Sequence, residues 1–194
     1  NALSNNNAQY RFELPQEKIL SSPIVADPLR MFECASYCDG AAALIMCSEK
    51  VAKNFKGKVK GYLLASALSY DFLSLSKRKS MIEFESTMKA SKKAFESAKL
   101  RLDGIDLMEL HDFAPISEVI AVEDLGFARK GTGLAYIRDN VGKINLSGGL
   151  KACGHAVGAT GIRQAADLLR ILKTRKLGNG GQVDPLVPVG QFPI

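Results

Sequence analysis

Apolar positions change period along this chain, and the changes mark out its elements. Residues 41–46 are a continuous apolar run that follows the turn signal Asp39-Gly40. A run of that length without a polar break predicts a strand buried on both faces. A second run over 59–68, after Gly57, and a third over 105–110, after Asp103-Gly104, predict two more strands. Elsewhere the period is helical. Phe84, Met88, Ser91, Phe95 and Ala98 recur at four and three, one face of an amphipathic helix over 84–100. Ile162, Ala165, Ala166, Leu169 and Leu172 share a face of a helix over 160–173, with basic residues gathered at its end. Ser48 is placed to cap a short helix running to Phe55, and Pro115 stands two residues before a helix over 117–125 closed by Gly126. Strands alternating with helices predict an α/β domain with a largely parallel sheet.

The remaining stretches read as connections. Residues 1–23 are polar and irregular, an extended arm, and Pro23 and Pro28 bracket the short apolar piece Ile24-Val25-Ala26. Residues 71–83 lack a period and predict a loop, and 128–158 are rich in glycine with no long element. The tail after Gly178 carries Pro185, Pro188 and Pro193, a density that excludes a central strand.

Composition narrows the class. The chain has 194 residues, enough for one domain or one and a half, and 46% of them are hydrophobic. No apolar run approaches the ~20 residues that span a bilayer. The first residues lack the basic-then-apolar pattern of a secretory signal, and the absence of an initiator Met predicts a processed or partial chain. The net charge of +6 is spread along helical stretches, with no aromatic-basic RNA motif. It favours an anionic small molecule over nucleic acid. Cys34, Cys38, Cys47 and Cys153 have neither zinc-ribbon spacing nor the density of a disulfide framework. They predict no metal site and a reducing compartment. Cys34 and Cys38 read as small buried residues.

The densest chemistry lies at 145–164, NLSGGLKACGHAVGATGIRQ. Five glycines surround one histidine, His155, just ahead of the last helix. Glycine permits positive φ and close backbone approach, so this is a tight loop that presents an imidazole. Beside helix N–H groups, a neutral imidazole can act as a base or donate to a developing oxyanion. The chain's other histidine, His111, ends the third predicted strand. Asp112 beside it could orient an imidazole or cap the following turn. Cys153 sits two positions before His155 in the same turn, where side chains rarely face each other, which argues against a nucleophilic role.

Residues 145–164 resemble the glycine-histidine motif of thiolases, N-x-x-G-G-x-x-x-x-G-H-P-x-G-A-T-G. His111-Asp112-Phe113-Ala114 stands where many thiolases have Asn-Glu-Ala-Phe, where the sterol-carrier-protein type has His-Asp-Cys-Phe, and where archaeal acetoacetyl-CoA thiolases have His-Asp-Ala-Phe. Residues 103–109, 123–127, 27–30 and 39–43 resemble further thiolase segments in the right order. The likeness covers nearly the whole chain, but only the second half of a thiolase.

The resemblance implies a thiolase-like layered α/β (αβαβα) fold, here its second half. Residues 1–22 would end the loop domain, 23–56 would end the N-terminal half, and 57–194 would form the C-terminal domain. It implies reversible Claisen condensation and thiolysis of 3-ketoacyl-CoA. Coenzyme A would be the substrate carrier, with no covalently bound cofactor. His155 would activate a cysteine nucleophile and help hold the thioester oxygen, and His111 would complete the oxyanion site. Ser36, Gly148, Gly149 and Phe113 would contact acyl-CoA. It also implies a homodimer or larger assembly, without a membrane span or nucleic acid, in the cytoplasm, with mitochondrion or peroxisome open.

Three departures stand against this pattern. The segment bearing the family's nucleophilic cysteine is absent, so an N-terminal half in the same or a separate chain must supply it. Phe113 replaces the acid/base cysteine of the sterol-carrier type, and the late Cys-x-Gly loop is missing. Ala156 replaces the proline after the histidine, which alters turn rigidity rather than chemistry. The alternative reading is a non-catalytic thiolase-like protein that binds acyl-CoA or serves as a scaffold.

Overall fold

The structure, a computed structural model, describes residues 2–55 and 58–174. Its helices are α1 (Gln16–Leu20), α2 (Glu49–Ala52), α3 (Glu85–Ala98), α4 (Pro115–Asp124), α5 (Gly133–Asp139), α6 (Gly149–Cys153) and α7 (Thr160–Thr174). The sheet found among the described residues is a small antiparallel hairpin of β1 (Ile24–Ala26) and β2 (Leu29–Arg30). The architecture is mixed α/β.

Its centre is the segment 105–110, which runs between two helix layers. Met108 and Leu110 turn to one side and pack with Ala121 and Val122 of α4 and with Ile144, and Tyr136 and Ile137 of α5 close that cluster. Leu107 turns the opposite way and meets Leu168 of α7, flanked by Leu146, Ile171 and Leu172. This one-residue alternation is what extended backbone does when both of its faces are covered. The neighbouring segment runs parallel. Met108 N–H donates to Lys143 O and Asn145 N–H donates to Met108 O, each at 2.8 Å, making the bridge between Met108 and Ile144.

The helices follow their sequence signals. Ser48 Oγ accepts from Val51 N–H and starts α2. α3 forms where its period predicts and ends at Lys99, whose φ is 54°, but of the predicted face only Ser91 is buried, beside Ser86, Thr87 and Ala90, while Met88, Phe95 and Ala98 are half-buried. α4 begins at Pro115, two residues earlier than its pattern suggests. Proline is favoured at a first helical position, where its missing N–H costs nothing. The hydroxyl of Ser117 then accepts from Ala114 N–H at 3.2 Å. In the glycine-rich stretch, α5 and α6 are short helices that no long period marks.

The predicted strands differ from what forms. The run 105–110 makes one bridge rather than a ladder, because side chains take over at Leu110. Its N–H donates to Asn145 Oδ1 at 2.6 Å, and its carbonyl accepts from Gln164 Nε2 at 2.7 Å. Runs 41–46 and 59–68 form no strand among the described residues. Ile45 is fully exposed at 101%, and Met46, Tyr62, Leu63 and Leu68 are also exposed. A buried strand needs a neighbour at its edge and cover on its faces; among the described residues neither run has a strand beside it, and cover is partial, as at the buried Ala65 and at Gly61, which lies against Leu169 of α7. Cys34 and Cys38 are half-buried rather than buried, because both lie on the rim of the site described below; all four cysteines are free. Gly57, and the tail with its glycine cluster and three prolines, lie outside the described residues. No helix among the described residues is long and apolar enough to cross a membrane.

Candidate active site

Three segments meet at His155. Its N–H donates to Ser36 O at 2.8 Å, and its carbonyl accepts from Cys38 N–H at 3.2 Å, which forms a parallel bridge with Tyr37. Ala35 N–H donates to Phe113 O at 2.7 Å, so the strip 35–38 ties the two histidine-bearing segments together. His155 is buried and His111 half-buried. Their rings meet edge to face, with centroids 4.9 Å apart. Phe113 lies 5.8 Å from His155, and Tyr37 lies 5.7 Å from His155 and 5.6 Å from Phe113. The result is two imidazoles walled by two aromatic rings.

Local structure fixes the imidazoles. His155 Nδ1 is 2.8 Å from Thr160 Oγ1, in the first turn of α7. That contact occupies one ring nitrogen and leaves Nε2 for chemistry. Burial lowers the His155 pKa, and the charge of Arg163 adds to the effect. Burial also lowers that of His111, followed by the neighbouring His155. Both imidazoles are therefore neutral at neutral pH, when each carries one donor and one acceptor nitrogen.

The glycine loop is gripped from behind by carboxylates. Glu109 accepts from Ser147 N–H at 2.8 Å and from its hydroxyl at 2.6 Å. Asp112 Oδ1 accepts from Leu150 N–H at 2.8 Å, so it caps α6 from a distance rather than its own following turn. Glu118 Oε1 accepts from Asn145 Nδ2 at 3.0 Å. Burial, the largest influence on each, pushes Glu109 and Glu118 up to about 7 and raises Asp112. The loop they hold is sharply folded, with φ of +98° at Gly148 and +69° at Gly149. A Cβ at Gly148 would lie 2.7 Å from the Cβ of Ala152, and one at Gly149 would overlap the Asp112 carboxylate.

His155, His111, Phe113 and the Ser36 backbone thus come together directly. Gly148 and Gly149 adjoin through Asp112, the residue after His111. Cys153 is buried, with a thiol raised by burial and its Sγ 3.5 Å from Ser147 O. That environment suits an inert thiol. Sequence reasoning missed Tyr37, Thr160, Arg163 and Glu109. Thr160 had a signal, a hydroxyl opening a helix five residues after the histidine. Tyr37 had none. Among the described residues, no group of His, Cys, Asp or Glu could hold a metal ion.

Comparison with known proteins defines the class. Residues 67–185, more than half of the chain, match the family described as "Thiolase C-terminal domain-like". The chain belongs to the thiolase family, and its mixed α/β arrangement is a thiolase-like C-terminal half-fold. Among its relatives is the "Acetyl-CoA acetyltransferase" of Methanothermobacter thermautotrophicus, 41% identical over 87% of this chain and 45% of that protein. The protein of the same description from Methanocaldococcus jannaschii is 39% identical over 95% of this chain and 49% of its own length. A solved structure, "Ltp2-ChsH2(DUF35) aldolase", shares the fold with a TM-score of 0.69 at 18% identity, over 94% of this chain and 50% of that one. The chain spans about half the length of the curated relatives it matches.

Proposed function

We propose that this chain is the C-terminal portion of a thiolase-type acyltransferase that catalyses reversible Claisen condensation and thiolysis of 3-ketoacyl-CoA. The observation that carries this reading is the edge-to-face pair of imidazoles, His155 and His111, with Thr160 fixing the first. In this reading His155 Nε2 takes the proton of a cysteine thiol carried by an N-terminal half outside these residues. The thiolate attacks the thioester carbonyl. The oxygen of that carbonyl gains negative charge, and the N–H of His111 donates to it. Coenzyme A leaves as its thiolate and takes the proton back from His155, leaving an acyl-cysteine. Donors aimed at such an oxyanion are among the largest contributions to acyl transfer.

The same reading divides the chain at 22 and 56 into arm, end of the N-terminal half and C-terminal domain. It assigns substrate contact to Ser36, Gly148, Gly149 and Phe113, and a dimeric or larger assembly. The basic charge of the chain suits a polyanionic substrate.

One observation favours a second reading. Phe113 places an apolar ring 5.8 Å from His155, at the position where the sterol-carrier type carries a reactive thiol. A protein built this way could bind acyl-CoA without turning it over.

The test uses the protein with both halves present, assayed for CoA-dependent cleavage of a short 3-ketoacyl-CoA. Wild type should turn over, and His155→Ala should lower kcat by about 10²–10⁴-fold, the range for a lost general base. A wild type that binds the ester without cleaving it, and that gains nothing from Phe113→Cys, establishes the second reading instead.

A further inference from the structure

Tyr37 is 71% exposed, yet its ring packs on two others. Its centroid lies 5.6 Å from that of Phe113 and 5.7 Å from that of His155, and Phe113 and His155 are 5.8 Å apart. Spacings in this range are contacts between aromatic rings, so the three rings close a triangle. A methylene chain running between two of them would need about 4 Å to each ring, roughly 8 Å in all. No side of the triangle leaves that room. His155 is 8% exposed, so an open ring lies against a buried one.

The backbone holds this triangle shut. His155 N–H donates to Ser36 O and Cys38 N–H donates to His155 O, so both neighbours of Tyr37 are tied to the residue on which its ring packs. Ala35 N–H donates to Phe113 O and ties the same strip to the third ring. A Cβ on Gly154 would fall 2.6 Å from Cys38 Sγ, a measure of how closely strip and loop approach. The backbone at Tyr37 is thus fixed on both sides, and its ring leaves only by turning about its own side-chain bonds toward solvent. The wall is hydrocarbon apart from the Tyr37 hydroxyl and the ring nitrogens of His155. It offers no partner to the phosphates of coenzyme A. The part of a ketoacyl-CoA that suits an apolar wall is the acyl chain.

We propose that Tyr37 is a specificity-determining residue: its ring, closed on Phe113, walls the space beside His155, so that short 3-ketoacyl groups fit there and long ones do not. The substrate class rests on the acyl-transfer reading of the site; the wall itself does not. Removing the Tyr37 ring takes away two sides of the triangle and joins the space beside His155 to solvent, since the outer side of that ring is already open.

The experiment compares kcat/KM for CoA-dependent cleavage of acetoacetyl-CoA and of 3-ketooctanoyl-CoA, using the protein with both halves present. Wild type should favour the shorter ester. Tyr37→Ala should cut that preference at least about tenfold, the low end of what one misfitting methylene costs. Tyr37→Phe should keep it, because the ring and not the hydroxyl makes the wall. An undiminished preference in Tyr37→Ala overturns the proposal, as does a wild type that favours the longer ester or a Tyr37→Phe preference that falls with Tyr37→Ala. If Tyr37→Ala does not fold, Tyr37→Leu, which has no ring, is read in the same way. Access is read without turnover, from carbethoxylation of His155 by diethyl pyrocarbonate located by mass spectrometry. His111, whose ring packs on His155, is the reference. Tyr37→Ala should speed modification of His155 several-fold over that of His111, and Tyr37→Phe should not. Faster modification in a protein that cleaves neither ester retains Tyr37 as the wall and removes the acyl-transfer reading. Cleavage with an unaltered preference does the reverse, and unaltered modification without cleavage overturns both.

Discussion

At Gly149 one missing atom sets the geometry of the loop. The residue sits at φ +69°, and a Cβ there would collide with the carboxylate of Asp112. Asp112 cannot yield freely, because it accepts from Leu150 N–H at 2.8 Å and follows His111 directly in the chain. Gly149→Ala therefore meets backbone strain and a collision together. It should cost at least about 2 kcal/mol of stability in denaturant unfolding. Gly142 is the control, since a Cβ there meets nothing within 4 Å and its φ is ordinary. Gly142→Ala should be neutral or stabilising by up to about 1 kcal/mol, through loss of unfolded-state freedom. Similar losses at both positions would refute the account of Gly149. The site was legible at this scale where a residue type is rare or its spacing unusual. Two histidines and clustered glycines stand out in 194 residues. Thr160, Tyr37 and Arg163 did not stand out, because hydroxyl, aromatic and basic residues occur everywhere, and only the meeting of separate segments gives these three their place.

Among the elements, the three carboxylates on segment 109–118 tie the central extended chain to the glycine loop and give the fold a pH dependence. Glu109 has a folded-state pKa of about 7 against an ordinary 4.5. Below pH 4.5 it is protonated whether folded or not and contributes nothing to the pH slope. As pH rises from there through 7, the unfolded chain ionises first and stability falls. The full difference is about 3 kcal/mol. Glu118 acts in the same direction. The two histidines act oppositely. Their depressed pKa values make stability rise as pH climbs toward 6.5, where the unfolded imidazoles also lose their protons. Glu109→Gln keeps the contact from Ser147 N–H at its amide oxygen and reverses the other, its Nε2–H donating to Ser147 Oγ, without a charge to bury. It should raise Tm over wild type at pH 8 and leave it nearly unchanged at pH 4, so its Tm profile falls less between those values. A wild-type slope in the variant would show that Glu109 carries no such penalty. The elements themselves were uneven in legibility. Amphipathic helices were readable because each carries its period within one segment: α3 and α7 stand where Phe84, Met88 and Phe95, and Ile162, Leu169 and Leu172, place them. The strand at 105–110 was readable as buried chain but not as a single bridge. Its ladder ends at side chains of Asn145 and Gln164, far away in sequence.

The whole molecule presents apolar surface that its own described residues do not cover. Ile45 is 101% exposed and Leu73 95%, and Met46, Tyr62, Leu68 and Tyr70 lie open with them. These residues fall in or beside the two runs whose hydropathy reads as strands buried on both faces. Large apolar side chains open in this number are a surface that partners commonly cover. The chain also spans about half the length of its curated relatives. The proposed N-terminal half accounts for both facts, because it would supply the sheet neighbours and the cover that these runs lack. Ile45→Asp distinguishes the possibilities. In the 194-residue chain alone the side chain already meets water, so the substitution should change stability by no more than about 0.5 kcal/mol. With the N-terminal half present the same aspartate would be forced into an apolar contact. The loss should then exceed about 2 kcal/mol, from lost packing and a buried carboxylate together. Paired unfolding curves of wild type and variant, with and without that half, measure both quantities. A near-zero effect in both forms would mean that the runs at 41–46 and 59–68 stay open, and that something other than the proposed N-terminal half explains their hydropathy.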